Sequence, residues 1–244
     1  MKKLGVVGTG IMGKGISQLL LSKGFEVISK SRKEKTLDGV KTTTNFGDLT
    51  SADFVIEAVS EDFEVKKEVF RELSRVCKKN AIIVSNTSSI SINELAKAVE
   101  NPGRFGGMHF FNPVSKMGLV EVVRGKETSE DTVKQICELA SALGKTPIIV
   151  KDSRGFIVNR LLMPFMNDAA LLAEMGIASP EDIDNAVKLG LNHPMGPLRL
   201  LDLIGLDVFV NAMENMGKTP STLVKKMVSE GRLGRKSGEG FYKY

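Results

Sequence analysis

Tryptophan is absent, and only two cysteines and two histidines occur among the 244 residues. Cys77 and Cys137 share no short spacing and fall in helix-like stretches. A disulfide framework is therefore not expected, and a reduced compartment suits both thiols. So few cysteines and histidines argue against a structural zinc site, and no metal is expected. No apolar run approaches the ~20 residues that span a bilayer, so no membrane partner is expected. Glycine interrupts residues 1–5 before an apolar signal core could form, which reads as a cytoplasmic protein. Aromatic residues are sparse at 6% and do not interleave with the basic runs. The net charge of +5 is thus read as suiting an anionic small ligand rather than nucleic acid.

What is present is an alternation that stops. Residues 4–7 read as an apolar strand, and glycines follow at 8–15. A helix then runs to Gly24, and a second strand covers 25–29. Further strands are expected at 40–44, 53–59, 81–85, 105–110, 119–123 and 147–150. Helices are expected at 62–77 and 131–143. Beyond residue 150 the pattern is helical only, at 157–175, 180–189, 198–213 and 221–229. The shift predicts an α/β domain over 1–152 with a mostly parallel sheet, then an all-α domain over 153–244. One connection is short. Eight residues, 32–39, join the second and third strands, whereas a parallel crossover with its helix takes ~10–12. Eight extended residues still reach about 26 Å, so a crossover without a helix is expected.

Gly8-Thr9-Gly10-Ile11-Met12-Gly13 fits G-x-G-x-x-G between a strand and a helix. Gly8 would permit the tight turn, Gly10 a close approach to a pyrophosphate, and Gly13 close packing of helix on sheet. The helix N-terminus would attract the phosphate charge. A Rossmann-type dinucleotide site follows, with Ile11 and Met12 in its loop. An NAD site usually carries an Asp or Glu about 20 residues on, for the ribose hydroxyls. Here the stretch reads Ser29-Lys30-Ser31-Arg32. A serine hydroxyl and a guanidinium suit a 2′-phosphate, so Ser31 and Arg32 favour NADP over NAD.

Two groups of polar residues end strands, where open α/β sheets bind ligands. They are Ser85-Asn86-Thr87-Ser88-Ser89 and His109-Phe110-Phe111-Asn112-Pro113, while Glu121 lies within a third, apolar strand. Gly155-Phe156-Ile157-Val158-Asn159-Arg160 opens the helical part. A buried carboxylate such as Glu121 demands a partner. Histidine takes and returns protons near neutrality.

Together with Glu57-Ala58, Glu61, Lys66, Asp182-Ile183-Asp184, His193–Pro197 and Gly234–Tyr242, these motifs resemble the L-3-hydroxyacyl-CoA dehydrogenase family, above all its bacterial 3-hydroxybutyryl-CoA dehydrogenases. The resemblance covers nearly the whole chain. It implies interconversion of a short-chain (S)-3-hydroxyacyl-CoA and its 3-oxoacyl-CoA. His109 and Glu121 would form the acid–base pair. Ser88 and Asn159 would complete the catalytic set and hold the substrate, beside Asn112. Glu61, Lys66, Asn86 and Lys236 would join the cofactor site, and the helical domain would form a homodimer. Ser88 has a plainer alternative, as cap of a helix starting near Ile92.

The chain departs from this family at residues 32–39. Relatives carry a long helical pair there, which covers the active site and contacts CoA. Weaker CoA binding is the implied cost. Two further readings are therefore kept: a dehydrogenase of a free 3-hydroxy acid, and a non-catalytic, crystallin-like nucleotide-binding protein.

Overall fold

The computed structural model describes residues 3–244. They form two compact units that part between Phe156 and Ile157.

The first unit is built on an eight-stranded sheet in the order β3-β2-β1-β4-β5-β6-β7-β8. The strands are β1 (Lys3–Val7), β2 (Glu26–Lys30), β3 (Lys41–Thr43), β4 (Phe54–Glu57), β5 (Ile82–Ser85), β6 (Phe105–Phe110), β7 (Leu119–Arg124) and β8 (Thr146–Lys151). Every neighbouring pair is parallel except β6 and β7. Helices α1 (Ile11–Ser22), α2 (Phe63–Val76), α3 (Ile92–Ala96) and α4 (Glu130–Ala142) link the strands. Two apolar cores result. Val6, Ile16, Leu20 and Ile136 pack in one, and Val55, Phe70, Leu73 and Phe105 in the other. Central strands buried on both faces are nearly all apolar for this reason. The expected helix-free crossover from β2 to β3 is present, held by an antiparallel bridge between Leu37 and Val40. Strand order reverses between β1 and β4, which places the crevice for a ligand beside the glycine loop.

The second unit comprises α5 (Val158–Glu174), α6 (Pro180–Gly190), α7 (Pro197–Ile204), α8 (Leu206–Asn215) and α9 (Thr222–Ser229). Met163, Met166 and Met213 are buried among Leu198, Leu201 and Phe209 and fill the gaps of this core. The single helix expected over 198–213 is broken. Gly205 adopts φ +102°, a conformation outside the helix, while apolar periodicity runs through it unbroken. Two buried acids tie the motifs of this unit together. Asp184 accepts the backbone N–H of Leu198 and Arg199, capping α7 from α6, and also the Tyr242 hydroxyl. Asp202 accepts the N–H of Phe241 and Tyr242, fixing the C-terminal stretch. A Cβ on Gly240 would lie 2.0 Å from Asp202 Oδ1. Gly240→Ala is therefore expected to lower stability by about 2–3 kcal/mol. A urea midpoint equal to wild type would show that this stretch adjusts freely. Among the described residues, no helix is long and apolar enough to cross a membrane.

Candidate active site

The antiparallel register of β6 and β7 sets His109 opposite Glu121. Cross-strand partners put their side chains on one face within reach of each other. His109 Nδ1 lies 2.7 Å from Glu121 Oε2, and both residues are buried, Glu121 fully. This carboxylate favours the tautomer with the proton on Nδ1, which leaves Nε2 to exchange a proton with a ligand. Phe111 and Phe156 flank the ring at centroid distances of 4.5 and 5.6 Å. Their apolar faces screen the pair from water, which strengthens its electrostatics.

Beside this pair, β5 runs into the loop that carries Ser88. Asn86 Oδ1 accepts the N–H of Phe110, joining the ends of β5 and β6. Glu61 gathers the rest of the loop. Its Oε1 accepts the Thr87 hydroxyl at 2.6 Å, the Ser88 N–H at 2.8 Å and the Ser89 N–H at 3.0 Å. The Ser88 hydroxyl lies 3.2 Å from the same oxygen. Burial works against the Glu61 carboxylate, but the Lys66 charge and the Thr87 and Ser88 hydrogen bonds outweigh it and hold the carboxyl below its ordinary range. The contribution of Glu61 to stability is thus in place above its unfolded value and lost as pH falls through the lowered one. Lys66 is buried, with its amine between Glu57 and Glu61. Ser88 does not cap α3; Ser91 does, accepting the Glu94 N–H.

The glycine loop has the shape its motif demands. Gly8 adopts φ +109°, and a Cβ on Gly13 would lie 1.9 Å from the Gly8 carbonyl oxygen. A Cβ on Gly10 would meet nothing within 4 Å. Ile11 is exposed and Met12 half-buried where α1 begins. Residues 29–33, at the end of β2, carry no carboxylate; Glu34 is the first to follow. Ser31 is buried and turns its hydroxyl to the Lys33 carbonyl, while Arg32 is exposed. Lys35, distant in the turn, brings its amine to 3.5 Å from the Thr9 carbonyl. Lys30 lies over the Phe46 ring at 3.9 Å. Burial and the neighbouring Arg32 charge lower its pKa.

Asn112 is exposed just past β6, in a cis peptide bond to Pro113. In the second unit, Asn159 is half-buried in the first turn of α5, and Lys236 pairs with Asp207 at 2.6 Å. Both cysteines are free thiols, and burial pushes Cys77 up to about 11, which makes it inert near neutrality. Glu57, Ser85 and Thr87, which lay in sequence motifs but were given no role of their own, join the polar cluster. The signal was there in Glu57, a lone carboxylate ending the apolar run Phe54-Val55-Ile56. Glu121 carries the same signal.

The family model for the NAD binding domain of 3-hydroxyacyl-CoA dehydrogenase matches residues 3–38 and 27–153. The model for the C-terminal domain of the same family matches 155–244. The N-terminal match is in two pieces that overlap at 27–38, across β2 and most of the short connection to β3. A probable 3-hydroxybutyryl-CoA dehydrogenase of Deinococcus radiodurans is 43% identical over 277 residues, covering 99% of this chain and 100% of the relative. The 3-hydroxybutyryl-CoA dehydrogenase of Clostridioides difficile is 43% identical over 278 residues, with 99% of each chain covered. Both alignments are longer than the 244 residues of this chain, so both relatives carry segments without a counterpart here. The crystal structure of (S)-3-hydroxybutyryl-CoA dehydrogenase from Ralstonia eutropha superposes with a TM-score of 0.95 at 40% identity. That match covers 100% of this chain and 99% of the other.

Proposed function

The chain belongs to the 3-hydroxyacyl-CoA dehydrogenase family, and on that premise we propose that it interconverts a short-chain (S)-3-hydroxyacyl-CoA and its 3-oxoacyl-CoA. The observation that carries this reading is the buried His109–Glu121 pair at the ligand-binding edge of the sheet. In the oxidative direction His109 Nε2 takes the hydroxyl proton, and in reduction it returns it. Glu121 orients the imidazole and stabilises its protonated form. The Ser88 hydroxyl bonds the reacting oxygen. Asn159 and Asn112 bind the rest of the substrate. A nicotinamide dinucleotide, when bound, supplies the hydride acceptor or donor. The fit for it rests on the loop itself, with collision-tight Gly8 and Gly13 and open space above Gly10. Gly8, Gly10, Ile11, Met12 and Gly13 would hold its pyrophosphate, Asn86 and Glu61 would border it, and Lys66 would act on it through Glu61. Lys236 completes the set. Acetoacetyl-CoA reduction, followed by loss of NAD(P)H absorbance, tests the reading; no turnover with either cofactor would overturn it.

NADP is the proposed cofactor. Support comes from the end of β2, where residues 29–33 carry no carboxylate, Arg32 is exposed and Lys35 reaches the glycine loop. Arg32→Asp is expected to shift the NADPH/NADH ratio of kcat/KM toward NADH by about tenfold or more. An unchanged ratio would refute the phosphate pocket.

The short β2–β3 connection favours a second reading, with a free 3-hydroxy acid as substrate, and free acetoacetate assayed beside acetoacetyl-CoA decides between them. A homodimer through the helical unit is also proposed. Leu161, Met175, Ile177 and Leu189 are strongly exposed there, and a dimer would cover them.

A further inference from the structure

Beneath the serine loop runs a buried chain of charges that proton exchange at His109 does not use. Glu57 ends β4 and is fully buried, and Lys66 on α2 is 1% exposed. Lys66 Nζ donates to Glu57 Oε1 at 2.7 Å and lies 3.2 Å from Glu61 Oε2. Two further donors fix Glu57. The Val59 N–H reaches Oε1 and the Ser85 hydroxyl reaches Oε2, each at 2.7 Å. Glu61, partly exposed, then offers its other oxygen to the loop, where it accepts the N–H of Ser88 and Ser89 and meets the Ser88 hydroxyl.

Stability alone is a weak account of this arrangement. Replacing a buried ion pair by packed apolar residues is often neutral or stabilising. What the chain does offer is direction. Glu57 cannot shift, since backbone and side-chain donors hold both of its oxygens. Lys66 is a strut between Glu57 and Glu61, and Glu61 sets the turn on which Ser88 sits.

We propose that Glu57 is a positioning residue of the reaction: through Lys66 it fixes Glu61, and Glu61 places the Ser88 hydroxyl against the substrate. The proposal rests on the reading of Ser88 as a substrate ligand. Small misplacements of such a group cost far more in rate than in stability.

The test is a double-mutant cycle on the full-length protein with acetoacetyl-CoA. Glu57→Gln is expected to lower kcat/KM for acetoacetyl-CoA about tenfold at saturating cofactor. In the Ser88→Ala background the same substitution is expected to cost less than about twofold, because the group it places is gone. Losses that multiply in full would overturn the proposal, as would a Glu57→Gln enzyme as active as wild type. If Glu57→Gln does not fold, the paired change Glu57→Gln with Lys66→Met removes both buried charges and carries the same expected losses of kcat/KM in the two backgrounds. Failure of both to fold would make the chain a stability element and overturn the proposal. A Ser88→Ala enzyme with unchanged kcat/KM would overturn the Ser88 reading instead, whatever Glu57→Gln does.

Discussion

His109→Gln is expected to lower kcat for acetoacetyl-CoA reduction about a thousandfold, within the 10²–10⁴ range of general acid–base catalysis. Glutamine keeps a donor that can face Glu121, so the buried carboxylate is not left alone and the fold survives. Proton exchange is lost all the same. Cofactor affinity should stay within about twofold, since the glycine loop is untouched. Glu121→Gln is expected to lower kcat about a hundredfold, because a neutral amide neither selects the tautomer nor stabilises the imidazolium. The two groups act as a unit, so the double variant should be little slower than His109→Gln alone. Loss of less than about tenfold for His109→Gln would remove histidine from the chemistry.

That pair was half legible in the sequence. Glu121 in an apolar strand required a partner, and His109 ended another strand of the same unit. The pairing itself was hidden, because it depends on β6 and β7 running antiparallel within an otherwise parallel sheet. The hint of that reversal is length alone: residues 111–118 are too few for a parallel crossover with its helix, yet 32–39 bridge parallel strands with the same number, so length does not decide it. The glycine loop, the helix-free crossover and the onset of the helical unit were legible, because local spacing and chain length decide them. The break at Gly205 was not, since the apolar period passes through a single glycine and its φ of +102° is set by tertiary packing. Lys66 was the least legible feature. On a polar amphipathic helix a lysine reads as solvated. Its burial exists only because Glu57, at the end of a strand nine residues earlier, waits beneath it.

Gly10→Ala and Gly13→Ala are expected to part company, and the split tests whether the loop binds a dinucleotide at all. At Gly13 a Cβ would lie 1.9 Å from the Gly8 oxygen and 2.7 Å from the Gly8 carbonyl carbon. These are backbone atoms, and they cannot retreat easily. Gly8 N donates to the Lys30 carbonyl at 2.8 Å, and a Cβ on Gly8 would itself lie 2.3 Å from the Ala58 oxygen. Gly13→Ala should therefore lower stability by about 3 kcal/mol and weaken NADPH binding with it. At Gly10 the backbone is ordinary, φ −71° and ψ −170°, and a Cβ would touch no protein atom. Conformation does not ask for glycine there; only a ligand at the helix N-terminus does. Gly10→Ala should leave the melting temperature within about 1 °C of wild type and weaken NADPH about tenfold to a hundredfold. Unchanged NADPH affinity in Gly10→Ala would mean that no pyrophosphate approaches this turn. A large loss of stability in the same variant would mean that the space above Gly10 belongs to the fold rather than to a cofactor.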